Sequence, residues 1–403
     1  MKKHWITLFP YTFLWIKNNT GFIYNSKDFK NFKFRLNEEI ARICHELVLP
    51  SNLYSTQLTT KDLENSNVSK WISLIVNKFN AGYLSTDSHK RPISFKPGLK
   101  LLEDKNYHMW EHLRGFGGNI MLNIHELTFY INSSSTGNDE YFKQVFFPLK
   151  NCLQIDVKNI ISFIRQSQNP FLLNINIVGN IFSYTYFEQL INEITRLEYD
   201  FTIIITNDDL YRHYKRFKKT KWPSNVKFNV IIDSVPNYSL MPFENSNTNI
   251  FATTLVYSKQ DYDLYFKHFE HLPIYSDAKV VPVFNDNNLK FFSNYVFITE
   301  DDLDETTLTK RDIFMRQVIN TNDFGNLTIF PDGHVYANIN LHPLGRFDDS
   351  VYSLIYKEFS EGQSWFRIRE IEPCCDCIYQ WLCPSPSNYE LVIGKPNLCH
   401  VKP

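Results

Sequence analysis

The sequence predicts an α/β protein: a partial (β/α)6 TIM barrel between a small N-terminal domain (1–90) and a C-terminal metal-binding domain (311–403). Three observations carry that prediction. Apolar, β-rich runs stand at Leu127–Ile131, Leu172–Val178, Phe201–Thr206, Val226–Ile232, Ile250–Tyr257 and Lys279–Phe284. The last five start at 172, 201, 226, 250 and 279, 24 to 29 residues apart, which is the length of a βα unit. Segments between them, such as YFEQLINEITRL and DLYFKHFEHL, repeat apolar residues at helical spacing. Finally, five cysteines fall within CCDCIYQWLCPSPSNYELVIGKPNLCH, Cys374 to His400, in a chain with only seven.

The bulk composition narrows the function classes. A chain of 403 residues with 43% hydrophobic and 16% aromatic residues can bury a large core. Its formal net charge of -1 supplies no global field for nucleic acid or an anionic membrane. No run of about 18 apolar residues occurs, and the opening MKKHWITLFPYTFLW does not read as a signal peptide. The expected compartment is the reducing cytoplasm, where clustered cysteines bind metal more often than they form disulfides.

In the N-terminal domain, PYTFLWIKNNTGFIYNSKDFKNFKFRL reads as three short strands, with Asn18-Asn19-Thr20-Gly21 as a hairpin turn. Asn37 is placed to cap a helix over EEIARICHELV, and Glu38 and Glu39 favour its start. A further helix opens at Asn67 or Ser69 and runs through SKWISLIVNKFNAGYL, with Trp71, Ile72, Ile75, Val76 and Phe79 on one side. In the barrel, from 91 to 310, near-continuous apolar strands fit a parallel sheet covered on both faces.

In the C-terminal domain, Cys374 and Cys377 form a Cys-x-x-Cys pair, with Cys383 and Cys399 downstream. A tight turn aims both sulfurs of such a pair at one centre, and two distant thiols complete a tetrahedral set. The spacing suits zinc and an iron–sulfur cluster equally. Cys375 reads as a bystander and His400 as a weaker candidate. Asp332-Gly333 suits a hairpin turn inside NLTIFPDGHVYANINLHPLGRF.

The cysteine run resembles the SPASM extension of radical S-adenosylmethionine (radical SAM) peptide maturases, whose pattern C-x2-C-x5-C-x3-C and a final cysteine it follows except at Ser387. An earlier G-x4-C element of that family matches at Gly333 but ends on Asn338. The family's two auxiliary clusters share this set. The resemblance implies that ligands of the first are lost, while Cys374, Cys377, Cys383 and Cys399 remain to hold one [4Fe–4S] cluster, with zinc as the alternative.

The resemblance also implies what the barrel lacks. The family's C-x3-C-x2-C loop follows the first strand; here that strand runs into NSSSTGNDEYFKQVFFPLKNC, where Ser133 to Thr136 are hydroxyls. The Gly-Gly-Glu expected after the second strand is Val178-Gly179-Asn180-Ile181. No S-adenosylmethionine is expected. The chain is similar to pseudo-radical-SAM proteins of Bacteroidales-type ribosomal peptide maturation systems, most specifically over 374–401. That similarity implies a non-catalytic accessory protein whose partners are a radical SAM maturase and a precursor peptide. The alternatives are a single-cluster electron-transfer subunit and a zinc-stapled interaction module.

The N-terminal order, three strands then three helices, resembles the small winged-helix domain that captures leader peptides by strand addition. It implies a peptide site between Phe32, Lys33, Phe34 and Arg35 of the third strand and Trp71, Ile75 and Lys78 of the last helix. The other reading has these aromatics packing the domain onto the barrel. Three further signals are set aside. His108-Met109-Trp110-Glu111-His112 matches H-x-x-E-H, but nearby glycines end any helix. RHYKRFKKTKW reads as a solvated basic helix face, and EDDLDE, Glu300 to Glu305, as an exposed acidic loop.

Overall fold

The computed structural model describes residues 3–86, 90–97, 117–233, 249–269 and 278–402. The H-x-x-E-H stretch lies outside the described residues.

The N-terminal region holds six strands, β1 (His4–Leu8), β2 (Thr12–Lys17), β3 (Thr20–Asn25), β4 (Lys30–Arg35), β5 (Ser55–Leu58) and β6 (Gly82–Ser85). They form two antiparallel sheets, β5-β1-β6 and β2-β3-β4. The three predicted strands are β2 to β4, turning at Asn18, whose φ is 50°. The helix Glu38–Val48 matches expectation, with Asn37 accepting from the Ile40 amide at 2.8 Å. The later helix is shorter than expected. It spans Ser66–Ser73, widens into one π turn at Leu74–Lys78, and gives way to β6 instead of continuing. Pairing of β6 with β1 accounts for this, because residues 82–85 meet Leu8 to Trp5 in register.

All six predicted barrel strands form: β7 (Glu126–Tyr130), β8 (Asn174–Val178), β9 (Asp200–Thr206), β10 (Val226–Ile232), β11 (Asn249–Val256) and β12 (Lys279–Pro282). They are parallel throughout. Three more, β13 (Asn326–Ile329), β14 (His334–Tyr336) and β15 (Gly345–Arg346), extend the sheet past β7 in the order β12-β11-β10-β9-β8-β7-β13-β14-β15. Because β13 runs parallel to β7, the sheet continues across residue 310. The hairpin predicted at Asp332-Gly333 joins β13 to β14.

Side chains alternate between two buried faces. Phe129, Ile177, Ile203 and Phe228 pack on the helices Val157–Gln166 and Phe187–Thr195. Tyr130, Val178, Ile204, Ile231 and Leu255 face the other way. There, among the described residues, they meet the segment after β7, whose Phe147 and Leu149 are buried against them. The chain is thus mixed α/β around a large, mostly parallel sheet. Gln144 fastens the filling segment by accepting from the Phe284 amide at 2.7 Å and donating to the Phe284 carbonyl at 2.9 Å. Phe147→Ala should lower stability by about 3–5 kcal/mol, read as the urea midpoint at constant m-value.

The acidic run Glu300 to Glu305 is not an exposed loop. It forms the helix Glu300–Asp304, started by a capping box between Thr299 and Asp302 and anchored by buried Leu303. Among the described residues no helix is long and apolar enough to cross a membrane.

A buried acid lies in the helix Val351–Glu361. Glu358 is 1% exposed and accepts from the amides of Ser364 (2.8 Å) and Trp365 (2.7 Å). Burial outweighs those bonds and raises its pKa from 4.5 to about 7. A carboxyl raised in the folded state binds its proton more tightly there, so the contribution of Glu358 to stability is greatest below pH 4.5 and falls as pH climbs toward 7. Glu358→Gln should flatten that slope and gain roughly 3 kcal/mol at pH 8, checked by thermal melts from pH 5 to 8.

Candidate metal centre

The four candidate thiols converge although they come from loops. Cys374 lies in the short turn Cys374–Asp376, and the Cys377 amide donates to the Cys374 carbonyl at 3.1 Å, closing the Cys-x-x-Cys bend. The Cys383 amide donates to the Tyr379 carbonyl at 3.0 Å. Cys399 is carried to the same place by a parallel bridge to Ile298, flanked by Ile298 N to Leu398 O (3.0 Å) and His400 N to Ile298 O (2.9 Å). Between them, Ser387 and Glu390 form the capping box of the helix Asn388–Ile393. Cys374, Cys377, Cys383 and Cys399 line one small cavity, together with Leu303, Arg369, Tyr379 and Gln380.

Burial pushes the Cys383 thiol up to about 12, and negative charge on the other three thiols adds to it. Burial likewise raises Cys377 and Cys399. Binding a metal ion or cluster here displaces protons, so affinity rises with pH. One cation stands in the wall. Arg369 Nη1 lies 3.7 Å from Cys374 Sγ, Nη2 donates to Glu390 at 2.9 Å and Nε to the Pro384 carbonyl at 2.6 Å. Burial alone would lower its pKa, but the charges of Cys383 and Glu390 outweigh that and hold it protonated.

The donor set is all sulfur. Yet among the described residues no three His, Cys, Asp or Glu stand as close as one metal ion requires. A tetrahedral zinc with bonds of about 2.3 Å draws its sulfurs within about 4 Å of one another. A cuboidal cluster seats each thiolate on a separate iron, which sets the sulfurs farther apart. The all-sulfur donor set suits zinc and a cluster alike.

Neither Cys375 nor His400 lines that cavity. The Cys375 carbonyl accepts from Lys17 Nζ at 2.6 Å. His400 Nε2 meets the Ser293 carbonyl at 2.6 Å, and its ring lies against Phe297. Arg369, Tyr379 and Leu303 line the cavity without having been anticipated. Arg369 shares SWFRIREIEP with Arg367, and nothing in that stretch singles out either one for the wall, while Leu303 comes from a helix far away in sequence.

The positions where the resemblance expects further cysteines also meet. Buried Asn338 donates to Asp323 (3.0 Å) and to Asn388 (2.7 Å), and Arg367 Nη2 donates to the Ser387 carbonyl (3.2 Å) and to Asp323 (3.4 Å). A hydrogen-bonded network fills that place. After β7, Ser134 donates to Asp209, Thr136 and Thr206 share a 2.6 Å hydroxyl contact, and Thr206 caps the helix Asn207–Arg212. Gly179 has φ +139°, and a Cβ there would stand 2.4 Å from Asn132 Oδ1.

In the candidate peptide site, Phe32 stacks on Phe79 at 4.3 Å, and Phe34 lies 5.6 Å from Trp71 and over Gly21. Trp71 and Ile75 are buried in that core. Arg35 and Lys78 are exposed, and Lys33 pairs with Glu300. The Leu36 amide donates to Asn19 O, so the pairs 34–21 and 32–23 carry the β3–β4 ladder. The N–H and C=O groups of Asn31, Lys33 and Arg35 therefore point to the edge of β4, which no described strand covers. The opposite face of β2-β3-β4 docks on the thiol region: Phe13, Phe22 and Tyr24 pack with Phe314, Tyr379, Leu382, Cys377 and Cys383.

No family model and no curated protein matches this chain. Two solved structures of Streptococcus suis SuiB are similar in outline. One, bound to precursor peptide SuiA, is 12% identical over 98% of this chain and 99% of that chain, with a TM-score of 0.47. The other, bound to S-adenosylmethionine, is 11% identical over the same shares, with a TM-score of 0.41. A likeness at those scores carries no functional information about this chain.

Proposed function

We propose that this chain is a non-catalytic accessory protein of ribosomal peptide maturation. It binds a precursor peptide, an active radical SAM maturase, or both, and carries one structural [4Fe–4S] cluster on Cys374, Cys377, Cys383 and Cys399. In this reading the large sheet is a radical-SAM-like partial barrel and the C-terminal domain a degenerate SPASM domain. The cluster supplies cross-linking and no reactive iron, because four thiolates occupy all four irons. Its ligands order a loop that has few backbone hydrogen bonds of its own.

The observation that carries the reading is the segment after β7. It sets hydroxyls where a cluster loop would stand, and it lays Phe147 and Leu149 over the face on which a barrel enzyme would seat its cofactor. The open edge of β4 supports a peptide role, since an extended chain can add to it. Purification without oxygen, followed by iron and sulfide assays, tests the proposal. About four of each per chain is expected. Twice that amount, or cleavage of S-adenosylmethionine to 5′-deoxyadenosine, overturns it.

A further inference from the structure

The thiol site and β4 are joined by two short paths. Cys399 is held beside Ile298, and the next residue, Thr299, is the N-cap of the helix Glu300–Asp304. That helix places Leu303 in the cavity wall and turns two groups toward β4. Glu300 pairs with Lys33, and the Asp304 carbonyl accepts from Asn31 Nδ2 at 2.7 Å. The second path starts at Cys377. Tyr379 packs on Phe22 of β3 with ring centroids 4.9 Å apart, and its hydroxyl donates to Glu300 at 2.8 Å and lies 3.2 Å from Asp304. Lys33 Nζ stands 5.5 Å from the Tyr379 ring centre. Asn31 and Lys33 are two of the three residues whose backbone groups face the open edge.

We infer that occupation of the thiol site positions the β4 edge strand, so that the metal centre controls whether the peptide-accepting edge is formed. The physical reason is the weakness of everything else on that side. Lys33–Glu300 is a half-exposed ion pair worth little alone. The helix behind it has only five residues and cannot persist without its anchors. Residues 374–399 are held by turns, one short helix and one bridge, so four sulfurs bound to one centre supply most of their order. The other side of β2-β3-β4 does not depend on the thiols. Its core of Ile23, Ile40, Ile43, Leu47, Trp71 and Ile75 is continuous within the N-terminal region.

This inference rests on the reading of β4 and the thiol site given under Proposed function, and the test separates the two. Amide hydrogen exchange is compared between the metal-loaded full chain and the same chain stripped by chelator under reducing conditions. The amides of Phe32 and Phe34, which bond to β3, should exchange about tenfold faster when stripped, while the helix Glu38–Val48 should change less than about twofold. Tyr379→Phe keeps the ring and every thiol. Compared with the parent at equal metal content, it should still speed exchange at Phe32 and Phe34 by about threefold. A chain that takes up no metal sinks both ideas. A chain that takes up metal but keeps Phe32 and Phe34 equally protected when stripped overturns this inference alone, as does uniform loosening that includes Glu38–Val48. An unchanged Tyr379→Phe profile overturns the route through the helix Glu300–Asp304.

Discussion

Cys383→Ser is expected to empty the metal centre and lower the thermal midpoint by about 10 °C. Cys383 is the most strongly perturbed thiol whose shift is resolved among the four, and it packs against the N-terminal sheet as well as the cavity. A hydroxyl there keeps the volume but is a poor ligand for zinc or for a cluster iron. The lost coordination outweighs the small packing change. At an unfolding entropy of about 2.1 cal/mol/K per residue, each kcal/mol shifts the midpoint of a 403-residue chain by roughly 1 °C, so the fall corresponds to about 8 kcal/mol. The check is iron content and a melting curve on the same anaerobic preparation. Cys375→Ser is the control and should match the parent in both. A Cys383→Ser protein with full iron and an unchanged midpoint would remove Cys383 from the ligand set.

The second large effect belongs to Arg369. It and Glu390 are 5% and 6% exposed, a buried pair in the cavity wall. Arg369→Met leaves the Glu390 charge without its partner and removes the cation nearest Cys374. Breaking one side of a buried pair costs about 3–5 kcal/mol. The double variant Arg369→Met with Glu390→Gln leaves no buried charge and retains an amide that can serve the capping box at Ser387, so it should recover most of the loss. Urea titrations of the two single variants and the double variant provide the measurement. Additive losses in the double variant would show that the pair is not energetically coupled.

Much of the parallel sheet could be read from the chain alone because its signal is local. Each of β7 to β12 is a run of apolar, β-branched residues, and successive runs stand one βα unit apart. The helix at Glu38–Val48 was equally legible, since cap, first-turn acids and apolar stripe lie within eleven residues. The small sheet β5-β1-β6 was not. It pairs residues 4–8 with 55–58 and 82–85, and strands of four or five residues have too little periodicity to announce partners so far away. The same limit hid β13 as a partner of β7, and made Glu300 to Glu305 look like an exposed loop when buried Leu303 anchors a helix there.

The candidate centre divides along the same line. Spacing by itself marked four sulfurs as a candidate ligand set, because chelation depends on residue type and short loop length, whereas only the resemblance pointed to hydroxyls where that family carries thiolates. Only the tertiary structure brought Cys399 beside Cys374 and placed Arg369 in the wall. It alone laid Phe147 across the sheet and set the thiol loop against the strand beside β4. Those placements depend on which surfaces bury each other, and burial is a property of the whole packed chain that no local window of sequence contains.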